Sequence, residues 1–238
     1  MTVGPDDPYH SDGMNKNETG GERPRFHTET FEKIDASRKD TILSVALAEF
    51  AEKGYNGTSI NGLARKAGIS IGSLYSYFSS KEDLYLTIVD MGHALLEKAL
   101  REIDPNAGLF ETFAALLREA RAYAESNREL NLVYLDAMTQ GLRHLSKRLS
   151  GSLETITVEL YRRVLVTAEE RGEIRKGLDL GAVAFCLDNL LLLFQFSFTA
   201  DYHRARLRLF LGLAEEEPLD EEALMDAILE FARRALRP

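Results

Sequence analysis

The chain reads as an all-α protein: a three-helix N-terminal unit of helix-turn-helix form, followed by a larger helical domain. Apolar residues recur at helical spacing almost throughout, and no stretch alternates apolar with polar as a half-buried strand would. The six prolines are sparse, and the 17 glycines mostly fall between the periodic segments, as stops do. No internal repeat is present, and 238 residues suffice for a small module plus a core-bearing domain.

Residues 1–36 are rich in Gly, Pro, Asp, Asn and Glu and lack an apolar period, so they read as a disordered tail. Arg23 and Arg25 could lie in a minor groove, as basic arms do in other DNA-binding folds; the composition favours a solvated tail. The first helix is expected over Ser37–Lys53. Ser37 is its N-cap, and the rows Ile42, Ala46, Phe50 and Leu43, Leu47 form its inner face. Gly54 supplies the left-handed stop, next to Lys53 at the negative end of the helix dipole. Thr58 is expected to cap a short second helix, Ser59–Ala67, with Ile60, Leu63, Ala64 and Ala67 turned inward. Gly68 ends it, Ile69 fills the turn, and Ser70 caps a third helix, Ile71–Phe78. Ser80 and Asp83 make a capping-box-like start for a fourth helix reaching about Ile103, where Asp104–Pro105–Asn106 breaks it.

Five more helical segments follow: Leu109–Ser126, Glu129–Gln140, Arg143–Gly172, Asp179–Leu211 (bent or interrupted near Asp201) and Asp220–Leu236. The division expected is a tail over 1–36, a reading head over 37–83 and an effector-binding and dimerisation domain over 84–238.

Composition narrows the function. Cys186 is the single cysteine, so there is neither a disulfide framework nor a thiolate zinc cluster, and a reducing cytoplasm is the expected location. No secretory signal opens the chain, and the most apolar run, Leu190–Phe198, falls short of the roughly 18 residues that would span a bilayer. No membrane partner is therefore expected. The five histidines are scattered, and no metal, phosphate-loop or nucleophile motif is present; neither an enzyme nor a cofactor is expected.

The net charge of −9 argues at face value against nucleic acid, but its distribution matters more than its sum. Residues 1–36 carry −4 and residues 84–238 carry −6, while residues 37–83 carry +1. In that segment Leu74 and Phe78 form the inner face of the third helix. Its outer face presents Ile71, Gly72, Ser73, Tyr75, Ser76 and Tyr77. Gly72 removes a side chain where backbone could approach DNA, and Tyr and Ser hydroxyls are phosphate donors. Lys81 sits in the first turn of a helix against the dipole, a local cost that a bound phosphate would offset.

The run Phe50–Leu84 resembles the DNA-binding signature of the TetR/AcrR family of bacterial regulators. The matching residues are Phe50, Gly54–Tyr55, Thr58, Leu63–Ala64, Ala67–Gly68–Ile69–Ser70, Leu74–Tyr75, Tyr77–Phe78, Lys81–Glu82 and Leu84. The resemblance implies phosphate contacts from Thr58, Tyr75, Tyr77 and Lys81, and base contacts from Asn61, Ser70, Ile71, Ser73 and Ser76. Two features depart from the pattern: the pair Asn61–Gly62, and a third helix without Arg, Lys, Asn or Gln, the residues that make bidentate base contacts. Readout would then lean on Ile71, Asn61 and DNA shape.

The resemblance also implies a homodimer on a palindromic, double-stranded operator, with half-sites a helical turn or a multiple apart. The pairing helices would be Asp179–Phe198 and the last one, through Leu191, Phe194, Phe198, Leu224, Ile228 and Phe231. The former is apolar nearly all round, so one face should meet its own domain and the other the partner.

A small-molecule effector pocket is expected among the middle helices, with Phe113, Leu117, Tyr123, Tyr134, Met138, Leu160, Tyr161 and Phe185 as candidate lining. Asp188, Asn189 and Gln195 are polar residues in apolar surroundings and need partners; dimer or internal hydrogen bonds rank above ligand contacts. The reading is a ligand-responsive repressor released by a largely apolar molecule. Two alternatives stand beside it: a binding or interaction protein with a silent head, and an activator.

Overall fold

A computed structural model of the chain describes residues 25–104, 106–139 and 155–238. Among these residues there are eleven helices and no strand. The head comprises α1 (Glu29–Lys33), α2 (Ala36–Gly57), α3 (Ile60–Lys66) and α4 (Ile71–Tyr77). Then come α5 (Lys81–Arg101), α6 (Leu109–Ser126) and α7 (Arg128–Thr139), and α8 (Thr155–Glu170), α9 (Leu180–Ser197), α10 (Asp201–Leu211) and α11 (Glu221–Leu236). The residues before 25 and the start of the segment expected from Arg143 lie outside the described residues.

Capping chemistry decides where most of these helices begin. Ser70 accepts from Ser73 N–H, Ser80 from Asp83 N–H, Asp179 from Ala182 N–H and Asp220 from Ala223 N–H, each satisfying an orphan donor of a first turn. Two expected caps shift. α2 is capped by Asp35 rather than Ser37, because Asp35 accepts from Arg38 N–H. α3 is capped by Ser59 rather than Thr58, which lies one residue outside as the C-cap of α2. The stop at Gly54 is as expected: its φ of 68° breaks the helical ladder inside α2. Of the bend or interruption expected near Asp201, the structure shows the interruption, with α9 ending at Ser197 and α10 starting at Asp201.

Residues 25–36, read as the end of a disordered tail, are structured. From residue 25 the chain is ordered onto the head, and Phe31 of α1 is buried against Tyr77 and Phe78. Phe26, Phe31 and Ile34 stand among polar residues without a sustained helical period, so their packing on the head was invisible in the sequence.

Two cores share the molecule. The head core gathers Ile42, Ala46 and Phe50 of α2, Leu63 and Ala64 of α3, and Leu74 and Phe78 around α4. It also takes Leu84, Tyr85, Leu86, Ile88 and Val89 from α5, and Leu130 and Val133 from α7. The body core is built on α6, α8, α9 and α11, with Leu100 at the far end of α5. Thus α5 contributes to both cores while α7 contributes to the head core, and a boundary at residue 83 cuts that head core.

α9 is long and apolar enough to cross a bilayer by length and composition, with a mean hydropathy of 1.7, although the shorter run read within it is not. In this fold Leu187, Leu191 and Phe194 on one face enter the body core, while Phe185 and Leu193 on the other are exposed.

Candidate nucleic-acid interface and ligand cavity

The outer face of the head is built by α4. Leu74 and Phe78 anchor the helix from within, leaving Ile71, Tyr75 and Ser76 exposed and Ser73 partly so. Asn61 and Ser59 are exposed on the neighbouring α3 segment. The serines of α4 are tied to one another. Ser70 Oγ and Ser73 Oγ lie 2.8 Å apart, and Ser76 Oγ donates to the Ser73 carbonyl at 2.6 Å.

Three residues read as phosphate ligands have other work in the fold. Tyr77 is only 7% exposed, with its ring against Phe31, so it belongs to the core rather than to the outer face. The i, i+4 register that puts Tyr77 opposite the core of a three-helix head holds only until α1 covers it. Thr58 is also buried, and its hydroxyl proton is directed to the carbonyls of Glu49 and Gly54. It closes the end of α2 and has no second proton to give a phosphate. Lys81 is half-buried and donates to the carbonyls of Tyr55 at 2.7 Å and Thr58 at 3.2 Å, with its ammonium 4.3 Å from the Tyr55 ring centre. Those carbonyls offset its position against the α5 dipole without any ligand. An ammonium carries three protons, so one remains for an outside acceptor.

A buried carboxylate braces the head from behind. Glu49, 4% exposed, pairs with Lys53 at 2.8 Å and with Lys66 at the end of α3. Hydrogen bonds from the two ammonium groups hold its pKa below the ordinary value of 4.5, against the opposing effect of burial.

Between α5, α6, α7, α8 and α9 lies a cavity of about 870 Å³. Its wall is mostly apolar, which suits a largely apolar guest. Of the residues expected there, Tyr123, Tyr134, Met138, Tyr161 and Phe185 line it. Phe113, Leu117 and Leu160 do not: they are 1%, 1% and 4% exposed and fill the body core instead. Helical spacing marks buried faces but cannot tell packed core from cavity wall. Sequence reading missed His93 and Gly92 of α5, which face the cavity from a helix shared with the head.

The polar residues of the wall divide by partner. Gln195 Nε2 donates to Asn131 Oδ1, and Asn131 Nδ2 to Thr199 Oγ1, both at 2.6 Å; this network knits α7 to the end of α9. Asn189 donates to the Phe185 carbonyl, and Asp188 lines the cavity. Burial pushes the Tyr123 hydroxyl up to about 12 and raises Tyr161 further, with the charge of Asp188 adding to the latter, so both are neutral hydroxyls near pH 7. The buried Tyr161 hydroxyl has no hydrogen-bond partner among the described residues. No cluster of potential metal ligands occurs among those residues either.

The residues read as a dimer seam separate. Leu191 and Phe194 are 8% and 4% exposed within their own chain, so they are core and not interface. Phe198 is half-buried, lying against Phe194 and beneath the Arg121 guanidinium. Leu224 and Ile228 pack partly on the body core, and Phe231 is 63% exposed. The outward apolar residues of α9 are instead Phe185 and Leu193.

A small helix-turn-helix head is thus joined through α5 and α7 to a helical body with an apolar cavity. Residues 42–88 match the model of the tetR family of bacterial regulatory proteins. The chain is 31% identical over 128 residues to the HTH-type transcriptional regulator RutR of Escherichia coli K12, a match covering 52% of this chain; the chain thus spans 58% of RutR's length. Among solved structures, a TetR family transcriptional regulator from Chloroflexus aurantiacus aligns with a TM-score of 0.69 at 21% identity, covering 90% of this chain and 99% of that one. The regulator FadR of Bacillus subtilis, in complex with stearoyl-CoA, aligns with a TM-score of 0.64 at 20% identity, covering 81% and 96%. These structures share the fold.

Proposed function

We propose that this chain is a ligand-responsive transcriptional repressor. It binds a palindromic operator as a homodimer through α4, and a largely apolar small molecule in the cavity releases it. The observation that carries the reading is the sharing of α5 and α7 between head core and cavity wall. A guest that favours one spacing of these helices must bias the attitude of both heads, provided its affinity differs between the two states.

On the DNA side, Tyr75 and the remaining proton of Lys81 are the phosphate donors, joined by Ser59, whose hydroxyl is exposed at the start of α3. Ile71, Ser70, Ser73, Ser76 and Asn61 face the bases. On the partner side, α9 and α11 pair with their mates, using Phe185, Leu193 and Phe231 in place of the residues that the chain's own core absorbs. The effector is of the apolar kind, and a fatty-acyl group, as in the stearoyl-CoA of the FadR complex, is one candidate.

The test is selection of bound sequences from a random duplex pool at stated salt, followed by titration of apolar compounds against the recovered complex. A palindrome, released by at least one such compound, is expected. Folded dimer that recovers no sequence would overturn the reading in favour of a binding protein with a silent head.

A further inference from the structure

The segment 25–33 is attached to the recognition helix by specific bonds. α4 is seven residues long, and its last carbonyls would be orphaned at the surface. Thr28 takes two of them: its N–H donates to the Tyr77 carbonyl at 2.9 Å and its hydroxyl to the Ser76 carbonyl at 2.7 Å. Phe31 inserts beneath, 4.7 Å from the Phe78 ring and 5.9 Å from the Tyr77 ring, and is 4% exposed. Lys39 of α2 fastens the far side by donating to the Glu32 carbonyl at 2.8 Å. Phe26 packs on the head core, and Arg25 beside it is exposed. Arg25 is three residues from Thr28, so about 10 Å of extended chain separates it from the end of α4. Ser76, whose carbonyl Thr28 grips, is itself on the outer face.

We propose that residues 25–33 are a second working element of the DNA interface. Thr28 and Phe31 are positioning residues that hold the end of the recognition helix, and Arg25 is a contact to a backbone phosphate beside it. This rests on the reading of α4 as the DNA-reading helix. The head segment carries a charge of only +1 and α4 has no cation, so a guanidinium on the segment that Thr28 ties to the end of α4 supplies attraction that α4 lacks.

The experiment measures affinity of the full chain for its selected operator duplex as a function of salt, for wild type, Arg25→Ala, Arg25→Lys and Thr28→Val. Because the dimer carries two copies, Arg25→Ala should lower the slope of log affinity against log salt by about 1.8 and weaken binding about 60-fold at 0.1 M salt, the share of one phosphate per protomer. Arg25→Lys should restore most of both. Thr28→Val, which keeps the N–H bond and drops the hydroxyl, should weaken binding with the slope unchanged while the thermal midpoint stays near wild type. Wild-type affinity and slope in Arg25→Ala would overturn the phosphate contact, and wild-type affinity in Thr28→Val would overturn the positioning role. A wild-type chain that binds no duplex would instead overturn the reading of α4 itself.

Discussion

Asp136 of α7 is where the body grips the reading head, and replacing it gives a sharp test of that joint. Its Oδ2 accepts from the Tyr55 N–H at 2.8 Å and from the Tyr85 hydroxyl at 3.1 Å. Its Oδ1 sits 2.9 Å from where a Cβ on Gly54 would be. The Tyr85 hydroxyl also reaches the Val133 carbonyl at 3.0 Å, so Asp136→Ala leaves it a partner, whereas Tyr55 N–H at the kinked end of α2 loses its acceptor. A hydrogen bond to a charged group contributes roughly 1.5–3 kcal/mol, and Asp136 is half-buried, so a loss of about 2 kcal/mol is expected. For a chain of this size that lowers the thermal midpoint by roughly 4–8 °C. Asp136→Asn keeps one acceptor oxygen and should lose less.

Denaturant unfolding at fixed protein concentration measures the loss, because association would otherwise shift the apparent stability. Amide exchange should quicken first at residues 53–58. The other face of α7 lines the cavity through Asn131, Tyr134 and Met138, so the same substitution should also weaken the effect of effector on operator affinity. An Asp136→Ala chain within about 0.5 kcal/mol of wild type, with exchange at 53–58 unchanged, would refute the argument.

Three further outcomes follow from the same geometry. Gly54→Ala forces a side chain into positive φ and against Asp136 Oδ1, so it should destabilise by more than about 1 kcal/mol, whereas Gly72→Ala, whose added Cβ meets only Ser70 Oγ at 3.8 Å, should cost nothing in fold stability; paired thermal melts decide. Tyr161→Phe removes a buried hydroxyl without a partner, so the ligand-free protein should be as stable or more so, and any effector that bonds the hydroxyl should bind the variant more weakly by calorimetry. Glu49 has a folded pKa below its ordinary 4.5, so its pairs with Lys53 and Lys66 contribute stability above that value and lose it as pH falls through the depressed one. Glu49→Gln should therefore show a flatter fall in unfolding free energy below pH 4.5 than wild type, and equal slopes would contradict the pairing.

Much of this protein was legible in its residues because the signals are local. Helix starts at Ser70, Ser80, Asp179 and Asp220, and the stops at Gly54 and Gly68, depend on a side-chain oxygen two or three residues from a backbone N–H, or on one glycine's φ. The inner faces of the head helices depend on a period of 3.6, which sequence displays directly. The run from Phe50 to Leu84 combined both kinds of signal, and the reading of its class followed.

What needed tertiary structure is every choice between two buried or two exposed fates. Periodicity marks Phe113, Tyr161, Leu191 and Phe194 alike as inward. Whether inward means packed core or cavity wall depends on which helix lies opposite, and none of those neighbours is near in sequence. Tyr77 and Thr58 matched phosphate ligands by position, yet a Phe 46 residues upstream of the one and a helix end beside the other consume them. The ordering of residues 25–33 and the grip of Asp136 are likewise long-range hydrogen bonds, spanning 48 and 81 residues. Local propensity specified the helices; only packing decided which of their faces meets solvent, guest or core.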